Sequence, residues 1–351
     1  SILVKVRDGR PIKIEGNTLS GVTRGGTTAR IQAAVLSLYD GSGRLQNPMK
    51  KGEEITWNAL DSEVMASLKE ISAAGGTTVL LSSSIISPSS RNLIEEFKTA
   101  FPGVKHVVYD PVSASGILIA NRDCYGQAVI PDYLFDKAGV IVSFGADFLG
   151  TWLSPAEYTA RYVQTRSLTN GEKQLSYHVQ FETGMTITGS KADKRIPVKP
   201  SEEASLVLGL YSALMKKSGL TGPGGGTENE IILALADKLL ANKGKSLVVS
   251  GSNSIGIQVI VNAINNLLES NGNTIDFSRP LLTQQGIDSE MEELVAQMNA
   301  GTVSGLILWN VNPAYDYHNP AAFVSGLKKT KLSLSFSPVI NETIEHVGYV
   351  A

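Results

Sequence analysis

The order of elements along this chain predicts an α/β fold with two doubly wound domains, and three observations carry that expectation. Short apolar runs such as 140–144 (Val-Ile-Val-Ser-Phe) are cut off at once by glycine, as strands buried on both faces of a parallel sheet are. Stretches of helical length separate these runs, which implies right-handed βαβ crossovers. The plan of 140–152, an apolar strand, an abrupt turn and a polar loop, returns at 304–313, so an internally repeated architecture is expected. The resulting division is an N-terminal β-rich segment over 1–55, a first αβ domain over 56–200 and a second over 201–351.

Taken in order, 2–6 and 11–15 alternate polar and apolar residues about Asp8-Gly-Arg10, which predicts a β-hairpin. A helix is expected over 28–39 and an extended segment over 41–48. Thr56 caps the next helix, whose Trp57, Leu60, Val64, Leu68 and Ile71 share one face before Gly75 and Gly76 end it. Strand 77–81, helix 89–100, strand 105–109, helix 113–121, strand 140–144, helix 154–167 and strand 177–181 follow, then a crossing helix over 201–218. The glycine-rich 219–227 reads as an exposed linker or loop. Beyond it come helix 228–241, strand 246–250, helices 256–269 and 289–300, strand 305–309, helix 320–328 and strand 331–336.

Composition narrows the function. A chain of 351 residues is too long for one ordinary core, and 42% hydrophobic with 18% charged residues describes a globular protein with a large interior. The net charge of −2 and pI near 6.1 supply no basic field for nucleic acid or an anionic membrane surface. Cys124 is the one cysteine, which rules out an internal disulfide and any Cys-based zinc or iron–sulfur site. No apolar run is long enough to span a bilayer, so no direct membrane span is expected. The chain opens without an initiator methionine and ends without a closing element, so a piece of a longer protein is expected.

Ligand pockets in open parallel sheets form outside the carboxyl ends of the strands, which draws attention to Gly145, Ala146 and Asp147. Ser250 and Gly251 follow a strand and lead into a helix through 252–256. Their backbone amides can receive a phosphate, or the segment is a tight turn that requires glycine; it has neither the full dinucleotide spacing nor a Walker lysine. His106, His178, His318 and His346 are scattered, without metal-binding spacing. Cys124 has no base nearby in sequence and reads as a structural thiol.

Several segments carry a family resemblance. Residues 9–17, Arg24-Gly-Gly, Leu38-Tyr-Asp40, Gly43-Arg-Leu45 with Pro48, and Ile55-Thr-Trp57 with Ala59 and Leu60 resemble the opening of the molybdopterin oxidoreductases. Gly145-Ala-Asp147 and the turn of Asn310, Asn312 and Pro313 resemble that family's nucleotide-cradling turns. The resemblance implies that the two Rossmann-like domains are of molybdopterin oxidoreductase type. More narrowly, 145–152 with Ser154, Pro155 and Tyr158, 185–190 with Ala192 and Asp193, and 312–316 resemble one branch, the molybdopterin oxidoreductase-like, iron–sulfur component of alternative complex III.

In that branch the molybdopterin-like domain carries no molybdenum cofactor. Iron–sulfur clusters are expected in a ferredoxin-like part beyond this chain, and haem c in a multihaem cytochrome subunit. Quinol-binding membrane subunits are further implied partners. The complex passes electrons from quinol to cytochrome c or a terminal oxidase, which implies the periplasmic face of the bacterial inner membrane.

Two departures from active relatives fit a lapsed site. The last cluster cysteine of active relatives corresponds to Thr28, and a hydroxyl does not replace a thiolate. The segment that carries the molybdenum ligand corresponds to 110–115, which holds no cysteine and offers only Ser113 or Ser115. The expected role is therefore a scaffold with no catalytic or metal-binding residues of its own. The alternative is an active catalytic subunit with molybdopterin guanine dinucleotide between its domains, touched by 145–148 and 310–313.

Overall fold

The computed structural model describes residues 1–168 and 175–351. The chain forms two compact units, Ser1–Tyr39 with Gly116–Leu281, and Asp40–Ser115 with Leu282–Ala351. This differs from the succession 56–200 then 201–351 expected from sequence. The reason is strand pairing: Thr77–Ser82 lies parallel to Val303–Trp309, with Leu81 opposite Leu308, so one sheet gathers segments from both ends of the chain. The 219–227 segment likewise lies inside the first unit. It packs on the helix Glu203–Lys217, where Thr227 N–H donates to Ser205 C=O and Ser212 Oγ donates to Gly225 C=O.

In the first unit the hairpin forms as expected from Ile2–Arg7 and Arg10–Gly16. Asp8 and Gly9 both take positive φ, 48° and 78°, the requirement of a tight two-residue hairpin turn. The helix expected over 28–39 is shorter, Ala29–Ala33 followed by a 3₁₀ turn Ala34–Leu38. A parallel sheet runs in the order Lys194–Pro197, Tyr177–Glu182, Val140–Phe144, Ser246–Ser250. Strand alternation divides its faces. Val140, Val142, Phe144, Val179, Phe181 and Val248 pack with helices Glu203–Lys217, Glu230–Leu240 and Ile255–Leu267. On strand Tyr177–Glu182 the alternate residue His178 meets an aromatic layer of Phe148 and Tyr162.

Three strands of this unit were not foreseen: Lys194–Pro197, Ile130–Tyr133 and Ile275–Leu281, the last two forming an antiparallel pair. Each contains proline and charged residues, which mask a strand pattern.

The second unit holds a seven-stranded sheet ordered Glu53–Glu54, Met49–Lys50, Tyr349–Val350, Leu332–Phe336, Val303–Trp309, Thr77–Ser82, Val104–Val108. Its five strands from Tyr349–Val350 to Val104–Val108 are parallel. Leu306 and Leu308 pack with Met291, Leu294, Phe323 and Leu327, while the intervening Ile307 packs with Leu60, Leu68, Ile71 and Ile94. Helices therefore cover both faces, the doubly wound arrangement the alternation predicted. Of the face foreseen on Trp57–Ala73, Leu60, Leu68 and Ile71 are buried, whereas Trp57 is exposed.

Candidate functional site

Ligands in a doubly wound sheet bind where the strand order reverses, outside the carboxyl ends. In the first unit the chain runs from Val140–Phe144 outward to Tyr177–Glu182 and Lys194–Pro197, then returns to the opposite flank with Ser246–Ser250. The reversal therefore falls between the strands ending at Phe144 and Ser250. In the second unit Thr77–Ser82 leads outward to Val104–Val108, and Val303–Trp309 begins the other arm. That reversal lies between Ser82 and Trp309. The residues singled out from sequence flank these two points: Gly145, Ala146, Asp147, Ser250 and Gly251 in one unit, Asn310, Asn312 and Pro313 in the other.

In the first unit the two turns touch. Gly251 N–H donates to Phe144 C=O at 2.8 Å and Gly145 N–H donates to Phe181 C=O at 2.7 Å. A Cβ on Gly251 would lie 2.6 Å from the Gly145 carbonyl oxygen, so glycine is needed here for close backbone approach. Gly251→Val is accordingly expected to destabilise the first unit by about 1–3 kcal/mol. Gly256→Ala, at a position with no close neighbours, should leave it as stable or slightly more so. Urea unfolding of the two variants distinguishes a packed pair of turns from an open one.

The Asp147 side chain is committed to the helix Ile187–Lys191. Its Oδ1 accepts from Thr188 N–H at 3.1 Å and Thr188 Oγ1 at 2.7 Å, and Thr188 Oγ1 in turn accepts from Leu149 N–H. The Asp147 carbonyl accepts from the amides of Gly150, Thr151 and Trp152. Ala146 is fully buried, its carbonyl met by Ser143 Oγ. The loop's polar groups are thus spent on its own backbone and on Thr188.

Ser250 brings in a residue the sequence did not flag. Its hydroxyl donates to Glu203 Oε1 at 2.9 Å, and Glu203 Oε2 lies 3.6 Å from where a Cβ on Gly145 would sit. Burial pushes the Glu203 carboxyl above the usual carboxylate range, opposed by the Ser250 hydrogen bond. In sequence Glu203 reads only as an acid favoured in a helix's first turn, so nothing there signals a place at the strand ends.

In the second unit Asn310, at φ 55°, donates from Nδ2 to Ser83 Oγ at 2.9 Å. A cavity of about 360 Å³ opens beside it, lined by Ser83, Ser84, Ile85, Trp309, Phe336 and Pro338 as well as Asn310. The serine run 82–84 after a strand was the available signal for Ser83 and Ser84. Asn312 turns elsewhere: its Oδ1 accepts from Thr343 Oγ1 at 2.6 Å and its Nδ2 donates to Glu342. Pro313 is buried at the start of the short helix Pro313–Asp316.

In the segment 110–115, both serine hydroxyls are engaged by backbone amides. Ser113 Oγ accepts from Ser115 N–H at 3.0 Å, and the buried Ser115 Oγ accepts from Asp288 N–H at 3.3 Å. Thr28 Oγ1 accepts from Ile31 N–H at 3.3 Å and caps the helix Ala29–Ala33. Cys124 is exposed. No group of three or more His, Cys, Asp or Glu able to hold a metal occurs among the described residues. At the first unit's strand ends the carboxyl of Glu203 stands beside Ser250 and Gly145, a poor fit to a dinucleotide pyrophosphate.

Strand order and strand-end turns make both units doubly wound, Rossmann-like α/β folds. The menaquinone reductase molybdopterin-binding-like subunit of Nitratidesulfovibrio vulgaris (strain Hildenborough) is 22% identical over 387 aligned positions, covering 97% of this chain and 55% of that protein. The chain thus spans about half the length of this curated relative. Among solved structures, acetylene hydratase from Pelobacter acetylenicus matches with a TM-score of 0.72 at 13% identity, over 99% of this chain and 60% of that one. The formyltransferase/hydrolase complex of Methylorubrum extorquens matches with a TM-score of 0.52 at 12% identity, over 87% and 85%. No family model matches the sequence. The resemblance read from the sequence is borne out in its fold and in its similarity to a molybdopterin-binding-like subunit. No helix among the described residues is long and apolar enough to cross a membrane.

Proposed function

We propose that this chain is the non-catalytic, molybdopterin-like domain of the iron–sulfur subunit of alternative complex III, a quinol-oxidising respiratory complex. The observation that carries this reading is Thr28: where active relatives place a cluster thiolate, this chain places a hydroxyl occupied in capping a helix. The engaged hydroxyls of Ser113 and Ser115 support it, as does the similarity to a menaquinone reductase subunit. The chain would hold no cofactor. Iron–sulfur clusters would belong to a ferredoxin-like part of the same subunit and haem c to a multihaem partner, at the periplasmic face and beside quinol-binding membrane subunits.

A scaffold needs surfaces to dock partners. The first 39 residues expose Ile2, Val4, Val6, Ile12, Leu36 and Leu38, an unusual concentration for a surface left in water. The cavity beside Asn310 is the one feature that favours the second reading, an active subunit with a bound guanine dinucleotide. Elemental analysis of the purified complex separates the two. The expected result is molybdenum and tungsten at background while haem and iron remain; stoichiometric molybdenum or tungsten would overturn the scaffold reading.

A further inference from the structure

We propose that Glu203 is a built-in anion at the first unit's strand reversal, occupying the place of a nucleotide phosphate and thereby excluding one. This deepens the scaffold reading, on which it rests, by naming the side chain that would keep the first unit's nucleotide site closed.

Three features converge on it. The carboxylate lies at the carboxyl ends of adjacent parallel strands, where a doubly wound sheet receives its ligand. It accepts the hydroxyl of Ser250 at 2.9 Å, the kind of donor that otherwise meets a phosphate oxygen in such a turn. It also stands within 3.6 Å of the position a Cβ on Gly145 would take, beside turns already drawn together at Gly251. An incoming pyrophosphate would have to displace Glu203 from Ser250 and accept a like charge at close range. Repulsion of that kind is strong where burial lowers the effective dielectric constant.

Glu203 also has an ordinary structural place as the first residue of helix Glu203–Lys217, where an acid complements the helix dipole. That role alone predicts lost stability on substitution and no change in anion binding. Exclusion predicts a gain of binding.

The test is calorimetric titration of the full chain with inorganic pyrophosphate at pH 8, for the native sequence, Glu203→Ala and Glu203→Gln. The native chain is expected to show no saturable binding, and Glu203→Ala to bind at least about tenfold more tightly than the native limit. Adding Ser250→Ala to that variant should remove the gain, which locates the anion. Glu203→Gln keeps the side-chain shape and an oxygen acceptor for Ser250 while removing the charge, and should gain binding in the same direction even if the alanine variant does not fold. Equal binding by the native chain and a folded variant, or no gain in a folded variant, overturns the proposal. Molybdenum in the native complex together with a gain in Glu203→Ala would defeat the scaffold reading and leave the assignment of Glu203 standing.

Discussion

Replacing Arg161 by alanine is expected to cost the first unit about 3–5 kcal/mol, because it takes the closest cation from two buried carboxyls and leaves Asp132 only Arg279, 3.9 Å away. The Arg161 guanidinium bonds both oxygens of Asp132, at 2.7 and 2.9 Å, and reaches Glu157 Oε1 at 2.7 Å. All three side chains are less than a tenth exposed. Burial already pushes the Glu157 carboxyl above its usual range, against the pull of Arg161.

Without the guanidinium, Glu157 would be driven further towards its neutral form. A carboxyl whose folded pKa is raised binds more protons folded than unfolded, so it favours folding as pH falls towards the ordinary carboxylate value. The defect in Arg161→Ala should therefore shrink between pH 7 and about pH 5. Native-state hydrogen exchange of the Val140–Phe144 amides measures the loss within this unit alone. A loss below about 1 kcal/mol, typical of a solvated pair, would show that water reaches the triad.

Acidification is expected to weaken the same unit through His178. The imidazole is fully buried, and burial lowers its pKa from 6.5 to about 4. Its Nδ1 lies 3.1 Å from the Tyr162 hydroxyl and its Nε2 3.3 Å from Gln180 Oε1. The ring is held neutral when folded, whereas the unfolded chain takes up a proton below about pH 6.5. Stability is thus lost as pH falls from about 6.5 towards 4. A difference of about 2.5 in pKa corresponds to about 3 kcal/mol at the acid end.

His178→Gln should start less stable, since it gives up ring packing against Phe148, but should lack this part of the pH dependence. Exchange of the Tyr177–Glu182 amides between pH 7 and 4, corrected for intrinsic rates, gives both curves. Parallel decline in the two proteins would remove His178 as the cause.

The central parallel strands were legible because burial on both faces demands mostly apolar runs, as at 140–144 and 305–309. The strand-end glycines were legible because a sharp turn after such a run needs them. What escaped was set by contacts distant in sequence. Strands Ile130–Tyr133 and Ile275–Leu281 carry Asp132, Pro131 and Pro280, which suit a short antiparallel pair but break the strand pattern locally. Glu203 reaches the site only because its helix begins beside Ser250. Asp147 resembled a ligand-binding residue, yet its capacity is taken by Thr188, which follows it by 41 positions.

The pairing of Thr77–Ser82 with Val303–Trp309 has a consequence during synthesis. A ribosome delivers the first of these strands long before the second, so the second unit's sheet has no central neighbour for Leu80 and Leu81 until nearly the whole chain has emerged. Meanwhile the intervening segment can assemble its own four parallel strands. The nascent polypeptide would thus carry one finished unit and one open apolar edge, a state that calls for chaperone cover. Any fragment ending before residue 303 would leave that edge permanently unpaired.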